Sequence, residues 1–182
     1  AKELGITDEV QVEYVCGGQF YGDADITAYM DTWFGSKGVE IVFACGGGIY
    51  TSAAEAAVKT GGKIIGVDLD QSATIDEYED GLTVTSAMKG LQVTIDNVLS
   101  AIKGGTWDAY AGEMENLGLE SANPEENYVQ LPETTTQWGD NFTVDDYRDL
   151  VQRMYDGELT VSGDTTSFPE TEIQATDYGS IK

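Results

Sequence analysis

The stretch Ile41–Asp70 constrains the fold more than any other part of the chain. It opens with an apolar strand, Ile41–Cys45, and passes through a glycine turn into a predicted helix over about Thr51–Thr60. A second strand, Lys63–Val67, follows that helix. Strand, glycine turn, helix and strand within about 30 residues form a βαβ unit. The two strands of such a unit are parallel and its crossover is right-handed, so we predict an α/β fold.

The same alternation of strands and helices continues on both sides of this unit. Each predicted strand of the first half is followed by a glycine-containing loop, which is typical of α/β architecture. We therefore predict a single three-layer lobe over residues 1–182 with a parallel sheet, and a tail, 158–182, that wraps the surface. The other predicted elements are a strand buried on both faces at Gln11–Cys16, a helix from the Asp23 cap to about Phe34, a strand at Leu82–Ser86, a helix over Met88–Lys103, an edge strand at Tyr128–Leu131 and a helix from the Thr143 cap to Asp156.

Charge and composition exclude several classes of function. The 182 residues carry 33 Asp and Glu against 9 Lys and Arg, a formal net charge of −24. A surface this acidic disfavours nucleic acid and anionic membranes as partners, and otherwise serves solubility. The sequence has no histidine, which removes histidine-based catalytic triads and the commonest metal ligand. We expect no metal and no cofactor.

The two cysteines, Cys16 and Cys45, each stand at the end of a predicted strand just before a pair of glycines. If the two strands were neighbours, a contact between the thiols would be possible. Disulfide geometry is demanding and cysteine packs well as a small apolar group, so we expect two buried thiols. The first residues, Ala-Lys-Glu-Leu-Gly-Ile, have the pattern of a helix end, which we interpret as an internal start within a longer protein.

The carboxyl ends of the two strands in the βαβ unit mark a candidate ligand site, because ligands of parallel sheets gather at that edge. Gly46, Gly47 and Gly48 follow the first strand, and Asp68 follows the second, 20 residues beyond Gly48. A carboxylate there can accept hydrogen bonds from two ribose hydroxyls, as in dinucleotide sites. However, Thr51 stands where the third glycine of a dinucleotide fingerprint belongs. Ligand contact and a turn that simply needs glycine both remain open.

Two further residues belong to the same predicted edge. Phe20 lies in the loop Gly-Gly-Gln-Phe-Tyr-Gly-Asp after the first strand. An aromatic ring there can stack on a base, or pack within its own loop. Lys89 follows the strand Leu82–Ser86 on the predicted turn into the long helix. It is either a solvated lysine or the partner that fixes and neutralises Asp68.

Four stretches together resemble the basic-membrane-protein family of ABC-transporter substrate-binding lipoproteins, of the purine nucleoside receptor type. The resemblance covers most of the chain and implies a type I periplasmic-binding-protein fold, in which two α/β lobes close on a ligand. It implies that this chain is the second lobe, with a crossover segment of about residues 86–106 that packs on an absent first lobe. The stretches are Gly17–Asp23, Gly38–Gly48, Ile65–Gln71 and Val84–Gly90.

The resemblance also implies a function and a role for each site residue. Phe20 would stack on the base of a nucleoside, the backbone of Gly46–Gly48 would line the pocket, and Asp68 would bind the ribose hydroxyls with Lys89 beside it. The protein would be a non-enzymatic capture module that closes on its ligand and docks on a membrane permease. It would lie outside the cytoplasm, lipid-anchored to the cell membrane through a part of the full-length protein other than this chain.

Two other functions remain as alternatives. One is a nucleotide (NAD)-dependent enzyme that uses the Gly46–Asp68 unit. The other is a repressor-type regulatory domain, which the acidic charge and the missing DNA-binding segment disfavour. The long helix carries a single apolar stripe, for which we expect one of three covers: the first lobe, a second chain, or this lobe itself. The stripe consists of Leu91, Ile95, Val98, Leu99 and Ile102.

Overall fold

The computed structural model describes residues 1–2 and 4–182. That part of the chain forms mostly parallel sheets with five α-helices, consistent with a three-layer α/β lobe, so the predicted fold class is confirmed. The elements are β1 (Gln11–Cys16), α1 (Ala24–Thr32), β2 (Ile41–Phe43), α2 (Tyr50–Ala57), β3 (Lys63–Asp68), α3 (Ser72–Ile75), β4 (Thr83–Lys89), α4 (Leu91–Gly104), β5 (Val129–Gln130), α5 (Val144–Tyr155) and β6 (Gln174–Ser180).

The strands form two sheets. The larger has the order β2-β3-β4-β5, with β2, β3 and β4 parallel and β5 antiparallel at the edge, so the predicted βαβ unit is confirmed. In the smaller sheet β1 pairs in parallel with β6, with Gln11 opposite Gln174. The two sheets meet where Tyr21, beyond β1, forms a parallel bridge with Gly48, beyond β2.

Local sequence determines where the helices begin and end. The Asp23 carboxylate accepts hydrogen bonds from the amides of Asp25 and Ile26 and caps α1 as predicted. At its other end α1 passes into a π-helical turn, Trp33–Lys37, which stops at Gly38 in the left-handed region (φ 72°). Helix α5 begins with a capping box in which Thr143 and Asp146 bond each other's backbone amides.

The core lies between one face of the sheet and the pair α1 and α2. Helix α2 is rich in alanine, and Ala54 and Ala57 are fully buried, so α1 can approach it closely. Ile64 on β3 is also fully buried under these helices. A side chain at Gly62 would place its Cβ 2.4 Å from the Phe34 ring, so glycine is required where that ring packs.

Alternate side chains of β1 and of β2 are exposed, each in its own sheet. Val12, Tyr14, Ile41 and Phe43 alternate with inward-facing residues and are 43%, 49%, 46% and 49% exposed. The expectation that Gln11–Cys16 is buried on both faces is therefore wrong, because helices α1 and α2 cover one face only. The expectation of buried thiols is also wrong. Cys16 and Cys45 are exposed and unpaired.

Strand β4 is longer, and the long helix starts later, than predicted. Met88 and Lys89 pair with Gln130 and Val129 of β5, so both residues remain in β4. The Gly90 amide then donates to Tyr128 O (2.8 Å), and α4 begins at Leu91. Lys89 is thus the last residue of a strand, which corrects its predicted place on the turn into the helix.

The apolar stripe of α4 is uncovered. Its residues Leu91, Ile95, Leu99 and Ile102 are 47%, 57%, 57% and 53% exposed. The stripe therefore does not fold back onto its own lobe, and of the three expected covers the first lobe and a second chain remain as predictions. No helix in residues 1–2 and 4–182 combines the length and the apolar character that crossing a bilayer requires.

Candidate ligand-binding site

The loop after β1 rests directly on the glycine turn after β2. The Gly48 amide donates to Phe20 O at 2.8 Å. A Cβ at Gly46 would lie 3.4 Å from Phe20 Cδ1, and one at Gly47 would lie 3.3 Å from Phe20 O. Gly47 also has a positive φ of 49°. The glycines therefore allow the backbone of the Phe20 loop to approach closely, a structural need that exists whether or not they also touch a ligand.

Most amides of this turn are already used inside the protein. The Gly46 amide donates to Ala44 O (2.8 Å), the Gly48 amide to Phe20 O (2.8 Å) and the Ile49 amide to Gly46 O (2.9 Å). A dinucleotide site needs such amides to bind the pyrophosphate at the helix N-terminus. The hydrogen bonds of this turn therefore leave little donor capacity for a phosphate ligand.

Asp68 closes β3 in an unusual conformation. Its φ is 71°, which makes it the one non-glycine residue with positive φ in the described part of the chain. Aspartate tolerates this left-handed region better than most residues. The conformation places a carboxylate at the strand end, where Oδ1 lies 2.6 Å from Lys89 Nζ.

The ion pair of Asp68 and Lys89 is open to solvent, with side chains 38% and 65% exposed. The hydrogen bond from Lys89 to the Asp68 carboxylate, together with their charge attraction, raises the pKa of Lys89 above its usual value. An exposed pair of this kind contributes little to folding, because water and salt screen the two charges. Both charged groups are therefore accessible to a ligand and matter little for stability.

Gln71 links the glycine turn to β3 and β4, a role that sequence reasoning missed. Its Oε1 accepts from the Val67 amide (2.8 Å) and its Nε2 donates to Gly47 O (3.3 Å). Its backbone amide donates to Oγ of the fully buried Ser86 (3.1 Å). A Cβ at Gly66 would lie 2.6 Å from the same Oγ. The only feature of the sequence that could have indicated this linking role is that Gln71 directly follows Asp-Leu-Asp.

The other side of the Phe20 loop is tied to the residues beyond β6. Gln19 Nε2 donates to Asp23 Oδ2 (2.7 Å), and Lys182 Nζ donates to Gln19 Oε1 (3.2 Å) and also to the Asp23 carboxylate. The bond from Lys182, with help from the Ile26 amide, lowers the pKa of Asp23 to about 2. The loop is thus held both by the glycine turn and by the C-terminal strand.

The structure places all the predicted site residues along one edge, at the carboxyl ends of neighbouring parallel strands. Phe20 lies on Gly46–Gly48, Gln71 bonds that turn to β3, and Asp68 ends β3 beside Lys89. The Phe20 ring is 76% exposed, and its neighbour Tyr21, which sequence reasoning did not single out, is 65% exposed. Their roles toward a ligand remain predictions.

Residues 1–2 and 4–182 contain no group of three or more Cys, Asp and Glu side chains placed to hold a metal ion. No protein-family model matches the chain, and no curated protein matches it. The resemblance to the basic-membrane-protein family therefore remains a prediction, based on the four stretches named above.

Proposed function

We propose that this chain is the ligand-contacting lobe of an ABC-importer substrate-binding protein, which captures a nucleoside or a similar polar small molecule at the carboxyl edge of its sheet. The observation that carries the proposal is the arrangement of that edge. An exposed aromatic ring, Phe20, is fixed on a glycine turn, and an exposed carboxylate and ammonium, Asp68 and Lys89, close the next two strands.

The chemistry of these groups suits a base joined to a polyol. Stacking of an aromatic side chain on a base contributes about 1–3 kcal/mol. The Asp68 carboxylate can accept hydrogen bonds from two neighbouring hydroxyls, and hydrogen bonds to a charged group contribute about 1.5–3 kcal/mol. Lys89, paired with that carboxylate, can donate to a further oxygen. A neutral ligand with an aromatic and a hydroxylated part uses all three residues.

The alternative of an NAD-dependent enzyme has less support. The turn amides that would bind a pyrophosphate are bonded to Ala44, Phe20 and Gly46 instead. The chain has no histidine, so acid–base chemistry at this edge would fall to Asp68 and Lys89, which already form an ion pair. We therefore assign the edge to binding rather than catalysis.

The proposal extends to the partners that the family resemblance implies. In a two-lobed protein, a first lobe would supply the other wall of the cleft and cover the apolar stripe of α4. Hinge closure would trap the ligand, and the closed form would dock on a membrane permease. This function requires a location outside the cytoplasm, with a lipid anchor in the full-length protein.

A binding titration of the 182-residue chain tests this proposal. Adenosine, uridine, ribose and NAD are titrated separately, with saturation-transfer NMR to detect weak binding. We expect the nucleosides to bind more tightly than ribose or NAD. The Asp68→Asn variant should weaken nucleoside binding about tenfold or more, because a charged acceptor is lost.

Asp31→Asn is the matched control, because Asp31 forms a comparable exposed ion pair with Lys59 (2.7 Å) away from the edge. Phe20→Ala should weaken nucleoside binding about fivefold or more, because the stacking contact of about 1–3 kcal/mol is lost. Phe168→Ala is its control, since Phe168 is an exposed aromatic residue of the tail. Tighter binding of NAD than of adenosine would support the enzyme alternative. Equal losses in Asp68→Asn and Asp31→Asn would refute the proposed site.

A further inference from the structure

The proposed site has a stacking part and a polar part, which lie on separate segments of the chain. Phe20 belongs to the loop after β1, and the glycine turn after β2 holds it through the bond from the Gly48 amide to Phe20 O (2.8 Å). Asp68 and Lys89 end β3 and β4. A ligand that touches both parts binds well only if their separation is set in advance.

The pairing of the sheet does not reach the glycine turn. Residue-to-residue pairing of β2 with β3 ends at Phe43 and Ile65, and the Ala44 amide makes one further bond, to Ile65 O (3.1 Å). The Gly46 amide then donates back to Ala44 O (2.8 Å), and the turn leaves the sheet. The turn and the end of β3 therefore need another connection to keep the two parts of the site at one separation.

The Gln71 side chain makes that connection. Its Oε1 accepts from the amide of Val67 (2.8 Å), the residue before Asp68. Its Nε2 donates to the carbonyl of Gly47 (3.3 Å), the residue before Gly48. A primary amide suits this position because it carries an acceptor and a donor side by side. One side chain thus bonds the segment of the polar part to the segment of the stacking part.

The base of this side chain is itself fixed. The Gln71 amide donates to Oγ of the fully buried Ser86 (3.1 Å), and the Gln71 carbonyl accepts from the Ile75 amide (2.8 Å) of α3. Gly66 leaves room for the side chain, because a Cβ there would lie 3.0 Å from both Cβ and Oε1 of Gln71. These contacts restrict Gln71 to the orientation that bonds both segments.

We propose that Gln71 is a positioning residue of the ligand site, which fixes the separation between Phe20 and the pair of Asp68 and Lys89. The inference rests on the proposed function, because it takes a ligand with an aromatic and a hydroxylated part as the molecule that spans the site. Two linked parts gain affinity over the separate parts only where geometry lets both bind at once. Gln71 therefore favours the joined ligand over either part alone.

The test compares a joined ligand with its two parts on the 182-residue chain. Adenosine is the joined ligand, and ribose and 9-methyladenine are the parts, each titrated by saturation-transfer NMR. All three are uncharged at pH 7. Gln71→Glu keeps the length of the side chain and an acceptor oxygen but removes the donor to Gly47 O. Gln137→Glu is the matched control, because the Gln137 amide also donates to backbone carbonyls, Gly81 O and Thr83 O, at the amino end of β4.

We expect Gln71→Glu to weaken adenosine binding about tenfold and to weaken binding of ribose and of 9-methyladenine by less than about twofold. Gln137→Glu should leave all three affinities unchanged. Hydrogen exchange supplies a second measurement that needs no ligand. The Gly48 amide, which donates to Phe20 O, should exchange severalfold faster in Gln71→Glu than in the wild type or in Gln137→Glu, because the turn is no longer bonded to β3.

Equal losses of affinity for adenosine and for both parts would overturn the positioning role, because local unfolding of the edge would produce that pattern. Unchanged adenosine binding in Gln71→Glu, or unchanged exchange of the Gly48 amide, would overturn it as well. If the wild-type chain binds none of the three ligands, the proposed function fails. The exchange of the Gly48 amide then still decides whether Gln71 fixes the Phe20 loop relative to β3.

Discussion

Residues 11–90 and residues 91–157 are stabilised in different ways. In the first region, Ala54, Ile64 and Ile75 are fully buried apolar residues between helices and sheet. In the second, Asn127 is a fully buried polar residue. Its Oδ1 accepts from the amides of Glu120 (2.7 Å) and Ser121 (2.9 Å), and its Nδ2 donates to Ser121 O and Asn123 O.

The difference shows that the main hydrophobic core is formed by residues of the first region alone. The first region buries one full sheet face under its own helices. The second region instead relies on amide side chains, among them Gln137, which bonds it to the first region by donating to Gly81 O and Thr83 O. It also leaves the apolar stripe of α4 exposed, around Ile95 and Leu99. Burial of this stripe therefore depends on another surface.

The largest expected effect contrasts one apolar residue from each region. Ile64→Ala removes a fully buried side chain and should reduce the free energy of unfolding by about 2–5 kcal/mol. Leu99→Ala removes a side chain that is 57% exposed and should change it by less than about 0.5 kcal/mol. Urea denaturation followed by circular dichroism measures both. A large loss in Leu99→Ala would mean that the stripe of α4 is already covered in solution.

An intermediate effect is expected from the polar centre of the second region. Asn127→Ala removes a fully buried side chain and leaves the backbone amides of Glu120 and Ser121 without their acceptor, which should cost about 1–3 kcal/mol. Asn97→Ala is the control, because Asn97 forms only an exposed bond to Tyr128 Oη (2.7 Å). Hydrogen exchange of residues 118–130 should rise in Asn127→Ala alone. Unchanged exchange there would show that apolar contacts hold the second region as they hold the first.

The smallest effect concerns the connection between Lys182 and the loop of the first region. The pKa of Asp23 is lowered from 3.8 to about 2. A lowered pKa means that the contribution of the ion pair is complete above pH 3.8 and is lost as the pH falls through about 2. An NMR titration of the Asp23 carboxyl carbon should therefore have its midpoint near pH 2.

Lys182→Met should move that midpoint up toward 3.8, since Lys182 is the largest cause of the shift. Lys59→Met, which removes a lysine bonded to Asp31 instead, should leave the Asp23 midpoint in place. If both variants raise the Asp23 midpoint equally, the lowered pKa reflects the summed field of the lysines and not the bond from Lys182.

Much of the first region could be predicted because its signals are local. The bounds of β1, Gln11–Cys16, follow from a run of apolar and alternating residues, and the Asp23 cap follows from the preference of helix N-termini for aspartate. The edge that joins Phe20, Gly46–Gly48 and Asp68 follows from topology alone, because parallel strands end on one side.

What could not be predicted depends on partners far away in the chain. Strand β6 has the sequence Gln-Ala-Thr-Asp-Tyr-Gly-Ser, with no apolar alternation, and is a strand because it pairs with β1. Lys89 stays in β4 because Val129 pairs with it. The exposure of Cys16 and Cys45 depends on which surfaces other segments cover, which no local pattern reveals. The linking role of Gln71 required the positions of three separate segments.

The pairing of β1 with β6 has a consequence for the order of events during synthesis. In the described part of the chain, β6 is the strand that pairs with β1. It starts 158 residues after Cys16, the last residue of β1. Until Gln174–Ser180 emerge from the ribosome, the backbone of β1 presents an unpaired edge, the kind of edge that recruits other chains. A nascent or truncated chain ending at Glu172 would therefore aggregate, whereas the seven residues of β6 give β1 its partner within the same molecule.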